Sequence, residues 1–305
     1  MRTALNTRAS LRSALIHATV RLRVDELALR LQRFLLRSQP RMLVIEMHET
    51  PTRLERQFRQ QLEWVAQHFT LVDLAGFVKF WETPSHLAPA SKPPVLFTFD
   101  DGRLSNYLVA APVLESFGAR GVFFVIPQWV ESREEEARQF YYSRIDPHAS
   151  PEHTQEDWNS MNPAQLRDLA ARGHTVGSHT YSHVKLLGLT LPELHHEIAD
   201  SAAKVSFWTG KPVDAIAWTF AWDAIDRQAW DVIRKHHRFC FAPCPGMVDC
   251  QSDSPDLIWR REIEVRYSEP EFRFMYSGLV DWSWRRQRQR LRKLLLSRTR
   301  VEADS

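Results

Sequence analysis

Two stretches of this sequence gather side chains able to hold a metal ion and move protons. The first, VLFTFDDG at 95–102, is an apolar run that ends in Asp100, Asp101 and Gly102. A run of Val, Leu and Phe this continuous suits a strand covered on both faces. In barrels of alternating strands and helices the C-terminal strand ends carry the active-site face, so two carboxylates there stand where catalytic or metal-binding acids belong. Gly102 lets the chain turn sharply behind them. The second stretch, HTVGSHTYSH at 174–183, places His179 and His183 four residues apart. Side chains at that spacing share a helix face or converge in a turn, so both imidazoles reach one divalent cation. With Asp101 they make three protein ligands and leave positions open for water, the makeup of a catalytic site rather than a structural one. Zinc is the default ion for two histidines and a carboxylate, with cobalt, nickel and manganese as alternatives.

TFDDG at 98–102 followed by SHTYSH at 178–183 resembles the first two motifs of the polysaccharide deacetylases, the NodB-homology family. The resemblance extends through PVLESFGARGVFFVIP at 112–127 and LRDLAARGHTVGSH at 166–179, and covers roughly residues 42–265. It implies an α/β fold, a single distorted (β/α) barrel with amphipathic helical extensions at both ends, and metal-dependent removal of N-acetyl groups from a polysaccharide or glycan precursor. On this resemblance Asp101, His179 and His183 hold the metal, and Asp100 is the general base that takes the proton from water. The metal polarises the amide carbonyl and acidifies the water, and the oxyanion meets the metal and a backbone N–H near Phe220.

Two departures from the family pattern stand out. The third motif usually carries an arginine or tyrosine with proline and glycine, but the corresponding residues here are Ala217-Trp218-Thr219-Phe220-Ala221, with no arginine to orient Asp100. Trp218 and Trp222 offer an apolar wall for a sugar face, or core packing. The C-terminal leucine-x-histidine that supplies a general acid in many members is also missing, because no histidine follows His237. His48 directly follows the strand 42–47 and so sits on the same rim as Asp100. Some exopolysaccharide deacetylases of the family carry a histidine there, and the resemblance implies that His48 is the acid. A catalytically silent glycan-binding or scaffold protein that keeps the barrel is the alternative.

The elements that must position these residues alternate from Met42 onward. Strands read at 42–47, 95–99, 121–126, 175–177, 215–220, 238–242 and 258–265, with helices at 54–69, 73–81, 105–117, 163–172, 191–209 and 226–236 between them. Asn162-Pro163 and Thr190 to Glu193 are helix-start signals, and Gly118 and Gly210 are stops. Residues 82–94 read as a loop, and 127–160 as a long charged insertion that either shapes the sugar site or is only solvated. At 305 residues with 44% apolar content the chain has ample material for such a core.

Charge divides the chain into three parts: an extension at 1–41, the deacetylase domain at 42–280 and a tail at 281–305. Residues 1–41 hold nine arginines against Asp25 and Glu26, and 285–300 hold eight Lys or Arg and no acid, which leaves a body of about −10 between them. Val20, Val24, Leu27, Leu31 and Leu35 recur at helical spacing, so the first part reads as a basic amphipathic helix, an interfacial or docking helix or a transit peptide. Such ends suit contact with an anionic membrane, packing on the acidic body or nonspecific nucleic-acid binding; no specific nucleic-acid partner is expected. No apolar run is long enough for a signal-peptide core or a membrane span, which points to a cytoplasmic protein peripheral at the inner membrane surface. Cys240, Cys244 and Cys250 match no familiar zinc spacing and read as free thiols.

Overall fold

The apolar runs become the staves of a barrel. The computed structural model describes residues 16–36, 41–83, 92–149 and 154–296. Residues 1–15 of the N-terminal extension, 84–91 of the loop before Pro94, and 297–305 of the tail lie outside the described residues. The strands are β1 (Arg41–Met47), β2 (Thr70–Val72), β3 (Pro94–Phe99), β4 (Val122–Val125), β5 (Thr175–Ser178), β6 (Ala215–Ala217), β7 (Phe239–Ala242), β8 (Val248–Asp249), β9 (Ile258–Trp259) and β10 (Arg261–Glu262). They lie in the order β10-β1-β3-β4-β5-β6-β7-β9, all parallel, with β2 beside the start of β3 and β8 antiparallel to the start of β1. One residue, Arg260, separates β9 on one edge from β10 on the other, so a single short passage of chain nearly closes the sheet on itself. This is the distorted α/β barrel that the sequence leads one to expect.

Two-residue periodicity sorts each stave. Met42 and Val44 of β1, Leu96 of β3, Val122 and Phe124 of β4, Phe239 and Phe241 of β7 and Ile258 of β9 form one buried cluster inside the barrel. Phe77 and Phe80 of the helix Leu74–Glu82 join that cluster. The alternate residues, among them Leu43, Ile45, Val95, Phe97, Phe99 and Phe123, face outward into a second cluster with Phe58, Leu62 and Val65 of the helix Glu55–His68.

Several expected boundaries shift. The stretch read as a strand at 215–220 ends at Ala217, because the chain then turns and Phe220 takes a φ of 67°. The stretch 258–265 is two short strands rather than one, since each half pairs with a different edge of the sheet. The insertion at 127–160 is no solvated loop. It forms helices at Pro127–Glu131, Glu135–Phe140 and Gln155–Trp158 and a π-helical turn at Tyr141–Ile145, and it buries Trp129, Phe140 and Tyr141 in a cluster of its own. The expected N-cap Asn162 accepts a hydrogen bond from Gln165 N–H at 3.0 Å.

Candidate active site

Three inward-facing series end in charge at the barrel mouth. Glu46 follows Val44, Asp100 follows Thr98, and Arg260 follows Ile258. Arg260 is 0% exposed. Its Nη1 and Nη2 donate to Oδ1 and Oδ2 of Asp100 at 2.6 and 2.8 Å, and Nη1 also donates to Thr98 Oγ1 at 3.2 Å. Nη2 lies 3.4 Å from a Glu46 oxygen, and the guanidinium rests 5.5 Å above the Phe124 ring. Burial alone would raise the Asp100 carboxyl, but the Arg260 fork holds it below the usual carboxylate range. Glu46 has only the longer contact to share, and burial pushes it up to about 7. The layer thus holds one fixed cation, one firm anion and one carboxyl that titrates near neutral pH.

Asp101 stands on the turn behind this layer with a φ of 70°. Gly102 follows with a φ of +77°, and a side chain there would place its Cβ 2.8 Å from Val125 Cγ1. Only glycine fits so close to β4. Arg103 takes one oxygen of Asp101, Oδ2, with Nε at 3.1 Å and Nη2 at 3.0 Å. The other, Oδ1, lies 3.6 Å from His179 Nε2 and 3.7 Å from His183 Nε2. Both histidines donate from Nδ1 to backbone carbonyls at 2.8 Å, His179 to Ala217 and His183 to Arg144, which turns both Nε2 lone pairs toward Asp101.

This donor set fits a divalent cation. Ligand atoms about 2.1 Å from a tetrahedral ion stand about 3.4 Å from one another, close to the spacing found. Burial pushes His183 down to about 4, so its ligating neutral form prevails at neutral pH. Burial would raise Asp101, but Arg103 and the neighbouring histidines hold its carboxyl far below the usual range. A second group of ligand-type atoms, Glu46, His48 and Asp100, lies within 4.8 Å of one another, but Arg260 already supplies its positive charge.

The loop that carries the histidines is held under backbone strain. Thr180 and His183 have φ of 60° and 55°, conformations that persist where surrounding contacts fix them. Glu197 accepts hydrogen bonds from Tyr181 N–H and Ser182 N–H at 2.9 and 3.0 Å and from Ser182 Oγ at 2.6 Å, and Thr180 Oγ1 accepts from His183 N–H at 3.1 Å. The insertion supports the same site from the opposite side, with the Arg144 carbonyl on His183 and Tyr141 5.4 Å beneath the Arg103 guanidinium.

His48 sits on the rim after β1. Its Nδ1 donates to Glu264 Oε1 at 2.7 Å, and Nε2 lies 3.9 Å from Glu46 Oε1. The side chain is 32% exposed. Burial would lower its pKa, but the Glu264 carboxylate overrides this and raises it well above the ordinary histidine value. His48 is therefore an imidazolium at neutral pH.

Glu46, His48, Asp100, Asp101, Arg103, Ile145, His179, His183, Trp218 and Phe220 line one cavity of about 190 Å³. That is small beside ordinary ligand pockets of roughly 300–1,000 Å³, so it suits one substituent of a larger substrate. The structure thus brings together Asp100, Asp101, His179, His183, His48, Trp218 and Phe220. Trp218 is buried, donates from Nε1 to Ala221 O at 3.2 Å, and belongs mainly to the outer core. Trp222 does not line the cavity and packs against the cluster that contains Trp218. Sequence reasoning missed Glu46, Arg103, Arg260 and Glu264. The available signal was a charged residue inside an otherwise buried run, which must find a partner.

Comparisons with known proteins bear on the family and the fold. The family model described as polysaccharide deacetylase matches residues 88–237. A Bacillus subtilis (strain 168) protein named "Putative polysaccharide deacetylase YxkH" is 31% identical over 107 residues, 35% of this chain and 29% of that protein's length. Among solved structures, IcaB from Ammonifex degensii superposes with a TM-score of 0.58 at 21% identity, covering 79% of this chain and 97% of that one. BC0361, a polysaccharide deacetylase from Bacillus cereus, gives a TM-score of 0.58 at 19% identity over 79% of this chain and 69% of that one. At such identities the two structures speak for the fold. With its two motifs, its barrel and the matched stretch, the chain carries a domain of the polysaccharide deacetylase family at residues 88–237.

Proposed function

We propose that this protein is a metal-dependent hydrolase that removes N-acetyl groups from a polysaccharide or glycan precursor. The observation that carries the reading is one small cavity in which a three-donor metal site lies between a carboxylate held ionised and an imidazole held protonated. A divalent cation on Asp101, His179 and His183, with zinc the default, supplies Lewis-acid polarisation of the amide and a more acidic water. Asp100, fixed by Arg260, takes the proton as water adds to the carbonyl carbon. The Phe220 backbone N–H donates to no described residue, and in this reading it meets the oxyanion. His48 Nε2 then gives its proton to the amine nitrogen as the C–N bond breaks, and acetate and a free amine leave.

The alternative of a silent glycan-binding or scaffold protein rests on the degenerate third motif, which lacks the proline, the glycine and the arginine. Arg260, between β9 and β10, reaches Asp100 from elsewhere in the chain and supports the catalytic reading on the point of the arginine. The test is metal analysis of the purified protein together with acetate release from N-acetylated oligosaccharides of different linkage. A metal-loaded protein that releases no acetate from any of them would sink the reading.

Two outcomes follow from the His48–Glu264 pair. His48→Gln keeps fold and metal but lowers amide turnover by on the order of 100-fold or more, with a smaller loss on activated esters whose leaving groups need no proton. Near-normal amide hydrolysis by this variant would exclude His48 as the acid. Glu264 raises the His48 pKa, so rates fall on the alkaline side as His48 loses its proton, and Glu264→Gln moves that alkaline limb to lower pH. A pH–rate profile that keeps its alkaline limb unmoved in Glu264→Gln would detach Glu264 from this role.

Among the described residues no helix is long and apolar enough to cross a membrane. The basic ends are read here as peripheral contacts with an anionic membrane.

A further inference from the structure

The helix Val24–Leu36 does not turn its leucine stripe inward. Asp25 is buried and accepts from Arg273 Nε at 2.9 Å, Glu26 accepts from Arg273 Nη2 at 3.1 Å, and Leu29 enters the core. That rotation leaves Leu27 65% and Leu31 55% exposed. Leu31 opens onto a groove of about 790 Å³ that it shares with Leu279 and Trp282, and Trp282 is 81% exposed. Asp249, Asp253 and Asp281 also line the groove, but they are paired with Arg41, Arg292 and Arg261, so the unpaired charge beside the apolar centre is basic. Arg285 lines the groove, Arg286 and Arg290 are exposed on its helix, Arg285–Leu296, Arg30 is exposed on the first helix, and Arg23 on the turn just before it. None of these five has an ion-pair partner among the described residues.

We propose that this face, Leu27, Leu31, Leu279 and Trp282 flanked by unpaired arginines, docks on an anionic lipid bilayer. Apolar side chains beside arginines match the interfacial region of a membrane, where the leucines and the indole enter the headgroup boundary and the guanidiniums meet lipid phosphates. Nucleic acid answers the charge alone and gives no role to three exposed leucines and a tryptophan at the centre. The groove reaches Arg41, the first residue of β1, whereas His48 follows the last. Seven strand residues separate the two ends by roughly 20 Å, so the docked protein keeps its catalytic mouth away from the lipid. The inference deepens the peripheral-membrane reading above and is independent of the deacetylation chemistry.

The test is co-sedimentation of the full chain at low salt with vesicles of phosphatidylglycerol and phosphatidylcholine, or of phosphatidylcholine alone. Wild type is expected to sediment only with the anionic vesicles. The variant Leu31→Glu/Trp282→Glu is expected to lose at least 10-fold in binding with an unchanged melting temperature and unchanged acetate release from soluble oligosaccharide. Arg285→Glu/Arg286→Glu/Arg290→Glu should bind weakly as well. Absence of wild-type binding, or equal binding to both vesicles, overturns the inference together with the peripheral-membrane reading. Anionic binding that survives in Leu31→Glu/Trp282→Glu, through residues 1–15 or elsewhere, overturns this face alone. A wild-type dimer that becomes monomeric in that variant, with no vesicle binding by either, assigns the face to a second copy instead, and tight duplex-DNA binding lost in that variant would also overturn the inference.

Discussion

Asp101→Ala, His179→Ala and His183→Ala each lose bound metal and acetate release together, whereas Asp100→Asn keeps the metal and loses turnover by on the order of 10³-fold. The division follows from which oxygen faces which partner. Asp101 Oδ1 and the two Nε2 atoms converge on one point, while both oxygens of Asp100 are taken by Arg260. Removing any of the three converging donors leaves two, too few to hold a catalytic ion firmly. Asn at 100 preserves shape and size but cannot accept a proton from water. Metal content by elemental analysis and acetate release, measured on the same preparations, separate the two classes. If Asp100→Asn gave up its metal as readily as the alanine variants, the assignment of Asp100 as a base rather than a ligand would be wrong.

Arg260→Met produces a second large effect, on stability and chemistry at once. Without the guanidinium, the Asp100 and Glu46 carboxyls face each other in a buried layer with no cation between them. Breaking a buried ion pair from one side costs about 3–5 kcal/mol, which for a chain of this size lowers the melting temperature by on the order of 10 °C. Arg260 holds the Asp100 pKa down, so its loss lets that pKa rise. A larger share of the base is then protonated, and the acid limb of what activity remains moves to higher pH. Arg260→Lys restores charge without the two-pronged geometry and is expected to fall between wild type and Arg260→Met. An Arg260→Met enzyme whose acid limb sits at the wild-type pH would show that Asp100 does not depend on this arginine.

The candidate metal-binding cluster was legible in the sequence because each of its parts is local. Asp100 and Asp101 are adjacent, His179 and His183 share one loop, and the apolar runs before them declare strands. His48 was legible from its place after β1. Arg260 and Glu264 were not, because their roles depend on which face of a late strand points inward and on a pairing 160 residues back. The run 258–265 reads as a strand either way; only the register that places Ile258 inside the barrel commits Arg260 to Asp100 and Arg261 to Asp281. The third motif misled for the same reason, since the position of an orienting arginine is set in space and two distant segments of chain reach it. Periodicity also overstated the first helix. Its leucines do form a stripe, but Arg273 binds Asp25 and Glu26 and turns that stripe outward. The π-helical turn at Tyr141–Ile145, which brings the Arg144 carbonyl to His183, leaves no pattern that hydrophobic spacing reveals.

Arg260, which holds Asp100, is also the residue at the seam. β9 holds one edge of the sheet, β10 holds the other, and Arg260 bridges them with its side chain directed inward. Any excursion that parts the two edges withdraws the guanidinium from Asp100 in the same movement. With Asp100 as the proposed base, catalysis is interlocked with closure: a chain that is still maturing, or that has sprung open under heat, is expected to be silent rather than indiscriminate. Residual deacetylase activity during a thermal ramp then reads out the fraction of intact barrels, and inactivation and unfolding share one midpoint.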